Sequence, residues 1–300
     1  MNLLVKNWLK NNTCSLKGKK VVITGATGGL GKELCFYLSF LGAELVLVNR
    51  SVAKAQRLKE EIISKCANAK VNLLYADFEN INDIEKVCCD LESMNIDVII
   101  HNAGAYAIER RICESGYLNV FQINFISAAY MTIRLLPILE KVNGRVVVVG
   151  SIAHNYSKTN QEDIDFKTKT SAELCYGNSK RYLMFFHEQL LKCSRVNLAV
   201  THPGITFTSI TDHYPDWLFK IIKYPMKVIF MKPKKAALCI LKGVFANTKE
   251  DEWFSPWLFG IWGSPLARKI GTAKAKEKEN IYNNSLNIIK TLIKNCNSKV

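Results

Sequence analysis

The ten cysteines of this 300-residue chain include no Cys-x-x-Cys pair. That spacing builds most structural zinc sites and dithiol redox centres, so neither is expected here. The scattered thiols read instead as reduced core residues. No apolar run reaches the ~18–20 uncharged residues that a membrane-spanning helix needs. The opening stretch, Met1 to Trp8, has too short an uncharged run for the core of a signal peptide. The expectation from these absences is a cytoplasmic protein. Acids are scarce too: 26 Asp and Glu face 41 Lys and Arg, a net charge of +15. Such an excess suits a phosphate-bearing cofactor, an anionic membrane surface or nucleic acid. It is uneven. Residues 1–20 hold five lysines and no acid, and residues 264–300 hold eight basic and two acidic residues. We therefore expect a basic N-terminal arm over 1–17, one large domain over 18–260, and a basic, helical C-terminal extension over 261–300.

What the sequence does have is concentrated first between Lys19 and Leu34. Val21 to Ile23 form a short β-branched run, the pattern of a buried parallel strand. Glycines follow at 25, 28, 29 and 31, and apolar residues then recur at helical spacing to Leu41. Strand, glycine turn and helix aim backbone N–H groups and a helix N-terminus at a phosphate. Glycine also lets a pyrophosphate approach with no Cβ in the way. The spacing is Thr-Gly-x-x-x-Gly-x-Gly on Thr24, Gly25, Gly29 and Gly31, with Thr27, Gly28 and Leu30 completing the loop.

A second strand, Glu44 to Arg50, ends where dinucleotide sites meet the adenosine ribose. An acid there would hold a 2′-hydroxyl. Arg50 offers a planar fork to a 2′-phosphate, which favours NADP over NAD. A solvated arginine at a strand end is the alternative. Further strands read at 71–77, 97–101, 144–151 and 195–201, with helices at 52–66, 81–94, 116–140, 234–245 and 281–296 between and beyond them. Regular alternation argues an α/β fold with a doubly wound parallel sheet. Ligands of such sheets sit beyond the carboxyl ends of the strands, where Gly25, Asp77, Asn102 and Ser151 fall. Tyr176 and Lys180 stand four apart and share a helix face. His101, His154 and His202 read as packing or surface residues. The stretch from Trp253 to Trp262 carries Pro256 and does not read as a simple strand; it is core or lid.

Taken in order, these motifs resemble those of the short-chain dehydrogenases/reductases: the glycine pattern of 24–31, Asn102-Ala103-Gly104, Asn124, Ser151, Tyr176-x-x-x-Lys180, and Pro203-Gly204. The resemblance covers roughly residues 18–210. A long gap between Ser151 and Tyr176, with Ser-Ile-Ala-His after the strand, looks like the retinol-dehydrogenase-like branch. The resemblance implies a single Rossmann-fold domain with a C-terminal helical extension and a substrate loop over 205–232. It also implies an NADP-dependent enzyme acting on a small lipophilic alcohol, aldehyde or ketone. Tyr176 would be the acid/base, since a lysine ammonium nearby favours the phenolate of a group that ordinarily titrates near pH 10. Lys180 would also hold the nicotinamide ribose, Ser151 the substrate oxygen, and Asn124 a water leading to Lys180. Asn102, with Ala103 and Gly104, would order the loop beside the adenosine. Asp77 would bond the adenine, and Ile205 and Thr208 the carboxamide. A cofactor-binding regulatory protein on the same fold is the alternative function. Nucleic acid is not an expected partner, because no recognition helix or stacking platform is visible. The segment Tyr214 to Met231 interleaves large apolar residues with three lysines. It reads either as a peripheral membrane contact or as a pocket lid. A homo-oligomer stays open.

Overall fold

The computed structural model describes residues 3–156, 158–192, 194–206, 231–271 and 273–297. Eight strands form one sheet: β1 (Lys20–Thr24), β2 (Glu44–Asn49), β3 (Val71–Tyr75), β4 (Val98–His101), β5 (Arg145–Val149), β6 (Asn197–Thr201), β7 (Glu252–Leu258) and β8 (Trp262–Lys269). Their spatial order is β3-β2-β1-β4-β5-β6-β7-β8. Every pairing is parallel except β7 with β8. Successive strand residues point to opposite faces, so a parallel sheet needs apolar residues at every position. Val22, Val46, Ile99 and Val146 accordingly enter one core, and Val21, Leu45, Ile100 and Val147 the other.

The helices that cover the second core are α1 (Leu3–Asn12), α2 (Gly29–Phe40), α3 (Val52–Lys65) and α7 (Pro233–Phe245). The expected basic arm is thus a helix, docked through Val5 and Leu9. The first core lies under α4 (Ile81–Glu92), α5 (Asn119–Lys141), α6 (Ala172–Leu191) and α8 (Ala275–Asn297). Among the described residues, α5 is long and apolar enough to cross a membrane, yet 72% of its apolar window is buried inside the molecule. It is a core helix. Its second turn, Gln122–Ile126, is π-helical.

One expectation is corrected at the far edge. Residues 252–269 form an antiparallel hairpin, with Pro256 inside β7 opposite Pro265 of β8. A proline would break an inner ladder, but β7 pairs with β6 at Thr201↔Phe254 alone. Pro256 lies beyond that rung, in a two-stranded ribbon with a register shift, where its missing N–H costs nothing. Residue 260, where the large domain was expected to end, falls in the turn of this hairpin.

Candidate active site

The site is built where the sheet order reverses, between β1 and β4. Gly25 leaves β1 with φ +65°, and a Cβ there would lie 2.8 Å from Ala103 Cα. A side chain at Gly31 would meet Gly25 O at 2.6 Å. Asn102 braces this loop: its Nδ2 donates to Thr24 O and Gly25 O, both at 3.0 Å. The Asn102 and Ala103 amides in turn donate to Thr24 Oγ1, at 3.1 and 3.0 Å. Thr27 N donates to Asn49 Oδ1 at 3.1 Å. The helix that follows, α2, begins after Gly28 with no side chain capping it. Its first-turn amides at Gly29, Leu30 and Gly31 are the group that a helix leaves without intrahelical partners. An uncapped positive helix end behind a Cβ-free loop fits a pyrophosphate.

Around this cradle, Arg50 is exposed at the end of β2, close enough to Glu79 to help hold that carboxyl below its ordinary value, behind the larger effect of the Arg111 hydrogen bond. Asp77 Oδ1 accepts from Glu79 N at 3.0 Å in the turn after β3. At the end of β6, Pro203 is buried, and Gly204 has φ +80° with Ile261 O 2.8 Å from where its Cβ would be. Ile205 O accepts from Met231 N at 3.0 Å. Thr208, like residues 214–230 of the lysine-bearing segment, lies outside the described residues.

Ser151 lies two residues past the end of β5 and caps the short 3₁₀ turn Ile152–Asn155, accepting from Ala153 N at 3.2 Å. Its hydroxyl lies near enough to the Tyr176 phenol on α6 to favour the phenolate. One turn on, Lys180 Nζ stands 5.7 Å from the Tyr176 ring centroid and donates to Val149 O at 2.9 Å. Charge pairing alone would lower the Tyr176 phenol. Burial outweighs it: the phenol is pushed up to about 12, with Ser151 opposing the rise and Tyr156 adding to it. Burial also pulls Lys180 down to about 8. A low-dielectric site penalises whichever form carries charge, which moves the two groups towards each other.

Asn124 sits in the π-turn of α5. Its Oδ1 accepts from Ala105 N at 2.7 Å, and its Nδ2 donates to Ala105 O and Ser179 Oγ, both at 2.9 Å. Ser179 Oγ donates on to Tyr176 O at 2.7 Å. Asn124 therefore ties the loop after β4 to the helix of Tyr176. Gly104 lies beneath both: a Cβ there would be 3.1 Å from Asn124 Oδ1 and 3.4 Å from Lys180 Nζ.

The structure adds residues that the sequence did not single out. Tyr106 meets Tyr176 edge-on, with ring centroids 5.2 Å apart, and donates to Glu173 Oε1 at 3.1 Å. Its place two residues after Gly104 was a usable signal. Ser179 had none beyond lying between Tyr176 and Lys180. The three histidines are outside the reacting group. His101 contacts Thr132 Oγ1 at 2.8 Å, His202 stacks on Trp253 at 4.7 Å, and His154 is buried between Ser151 O and Gly271 O.

A glycine cradle at a sheet reversal, facing a Ser–Tyr–Lys set at the end of the next strands, defines a dinucleotide-dependent α/β class. The short chain dehydrogenase profile matches residues 19–218, and the chain belongs to that family. It is 26% identical to human retinol dehydrogenase 13 over 222 residues, covering 70% of this chain and 67% of the relative. To human polyprenol dehydrogenase it is 26% identical over 229 residues, covering 72% and 69%. The chain spans about two thirds of the length of the curated relatives it matches. A short-chain dehydrogenase from Sphingobium yanoikuyae, solved in complex with NADPH, shares the fold with a TM-score of 0.57 and 20% identity, over 74% of this chain and 82% of that one.

Proposed function

We propose that this protein is an NADP-dependent oxidoreductase for an apolar alcohol, aldehyde or ketone, with Tyr176 as its acid/base. The observation that carries the reading is the grouping of Tyr176 with Ser151, whose hydroxyl opposes the rise of its phenol, and with Lys180, whose Nζ stands 5.7 Å from its ring centroid. NADP, when bound, would supply or accept the hydride. The chain's own residues do the rest. The amides of Gly29, Leu30 and Gly31 take the pyrophosphate, and Arg50 takes the 2′-phosphate. Ser151 orients the substrate oxygen, and Tyr176 moves a proton at that oxygen. A phenol at about 12 is protonated at neutral pH. That is the state that can donate a proton to a carbonyl oxygen. The names of the relatives, a retinol and a polyprenol dehydrogenase, support a lipophilic substrate.

The test is Tyr176→Phe, assayed with NADPH and a panel of apolar carbonyls. Turnover should fall by about 10²–10⁴, the usual contribution of general acid–base help. NADPH binding, measured by titration, should survive. A variant that keeps its turnover removes Tyr176 from the mechanism.

We also propose peripheral contact with an anionic bilayer. Its support is a surface: Phe259 is 80% and Trp257 56% exposed at the β7–β8 tip. Leu4, Trp8, Trp257 and Trp262 line one groove between α1 and that hairpin, together with Lys232 and Lys235. Leu3, Lys6 and Lys10 are exposed on α1. Aromatic and aliphatic groups among lysines, with no acid among the described residues that line the groove, suit a lipid interface.

A further inference from the structure

Arg181 directly follows Lys180 on α6, and its side chain is only 5% exposed. It meets Glu277 of α8 as a two-bond fork, Nε to Oε1 and Nη2 to Oε2, both at 2.8 Å. Its remaining nitrogen, Nη1, donates to His154 O at 3.1 Å. His154 belongs to the turn that Ser151 caps, and its Nδ1 is 2.7 Å from Ser151 O. The same carboxylate reaches further along the loop. Thr159 donates to Glu277 Oε1 through its amide at 3.3 Å and its hydroxyl at 3.0 Å. Six residues before Glu277, Gly271 O lies 3.2 Å from His154 Nε2, and a Cβ at 271 would press on the Asn155 side chain. One carboxylate thus gathers the catalytic helix and both ends of the loop that leaves Ser151.

Stability alone is a weak reason for this arrangement. Desolvating an ion pair consumes most of its Coulombic gain, and packed apolar residues hold two helices equally well. Nor does α8 depend on Glu277 for docking. Lys278 separately bonds Glu188 at 2.9 Å and Asp251 at 2.5 Å, and Ile281 and Ile289 are buried below it. What Glu277 alone supplies is the bridge to residues 154–159.

We propose that Glu277, acting through Arg181 and Thr159, is a positioning residue that fixes the Ser151 turn against the helix of Tyr176 and Lys180. Ser151 has to meet Tyr176 and the substrate oxygen together, and a displacement of about 1 Å in such a constellation costs on the order of 10²-fold in rate. The proposal rests on the acid/base assignment above for its kinetic consequence but not for its structural one.

The experiment compares Glu277→Gln, Thr159→Val and Lys278→Met with the full-length wild type, by steady-state kinetics with NADPH, amide hydrogen exchange and thermal melting. Glu277→Gln keeps the shape of the side chain and removes its charge. Expected are a kcat at least about tenfold lower, a KM for NADPH within about twofold, and faster exchange over 152–156 with the exchange of 20–40 unchanged. Thr159→Val removes the hydroxyl bond of the loop to Glu277, keeps the weaker amide bond and leaves the Arg181 pair intact, so it should speed the same amides even if the first variant folds poorly. Lys278→Met breaks an ion pair of similar burial; it should lower the melting temperature and leave kcat in place. A Glu277→Gln protein that melts lower but keeps its kcat and its exchange pattern overturns the proposal. So does a Lys278→Met loss of kcat as large as that of Glu277→Gln. If wild type turns over no carbonyl, the acid/base assignment fails, and the exchange of 152–156 in the variants still decides whether Glu277 holds the turn.

Discussion

Lys180 is 3% exposed, and burial brings its ammonium down to about 8 from an ordinary value of 10.5. An unfolded chain therefore holds that proton more tightly than the folded one. At neutral pH the charged lysine subtracts roughly 3 kcal/mol from stability, a penalty that fades as pH rises from 8 towards 10.5. Its bond to Val149 O returns about 1 kcal/mol. Lys180→Met should thus abolish turnover yet stabilise the protein by about 1–2 kcal/mol, raising the melting temperature by several degrees in calorimetry at pH 7. A lower melting temperature would contradict the burial argument. Arg50 makes the second prediction at this scale. Arg50→Asp replaces a charge-assisted bond to the 2′-phosphate by a repulsion, so NADPH affinity should fall far more than NADH affinity. Parallel titrations check it, and an unchanged ratio would remove Arg50 from cofactor choice. Ser151, Tyr176 and Lys180 were legible because spacing and strand ends announce them. Arg181 and Glu277 were not: they lie 96 positions apart, and only packing of α8 on α6 makes them one group.

Elements were easier to read than the irregularities within them. The apolar period of 116–140 gave a helix, but the π-turn at Gln122–Ile126 has no compositional mark. It carries Asn124, a candidate site residue, and π-turns often gather at functional positions. The β7–β8 hairpin was hidden by Pro256, whose tolerance depends on where the β6 ladder stops. Three elements meet in a buried chain that no motif signals: His101 of β4, Thr132 of α5 and His187 of α6. Thr132 Oγ1 lies 2.8 Å from His101 Nε2 and 2.9 Å from His187 Nε2. His187 Nδ1 is 2.7 Å from Leu183 O and so donates to it, while the Thr132 hydroxyl donates to Ala128 O at 2.9 Å. Burial takes His187 down to about 4 and His101 well below its ordinary 6.5. The unfolded state then binds protons first as pH falls. Stability is complete above pH 6.5 and declines towards pH 4, by about 2 kcal/mol between pH 7.5 and pH 5 from His187 alone. Denaturant midpoints at those two pH values measure it; a midpoint that does not move would show the imidazoles to be reachable by water.

For the whole molecule, charge and shape were legible in different degrees. The +15 excess and the doubly wound sheet followed from composition and alternation. The pairing of α1 with the far hairpin did not, since nothing local links residues 4–8 with 257–262. That shared face makes the bilayer proposal testable. The protein should pellet with anionic vesicles at low salt, less so at moderate salt as screening sets in, and weakly with neutral vesicles. Phe259→Asp should reduce pelleting while leaving turnover intact. Protein that stays in the supernatant with anionic vesicles at low salt would remove the bilayer from the account.

The brace from Asn102 to the glycine loop has a consequence in time. Every glycine of the phosphate loop is synthesised by residue 31, but the amide that fixes Thr24 O and Gly25 O arrives only at residue 102. Val21 pairs with Val98 across that same span. A nascent chain halted before β4 would display the whole glycine motif without the loop it specifies. The cofactor would have nothing rigid to grip, and so could not template the first strands. If the loop binds a dinucleotide as proposed, binding should come late in folding, after β4 has paired with β1, and the added dinucleotide should slow unfolding of the finished sheet more than it speeds its assembly.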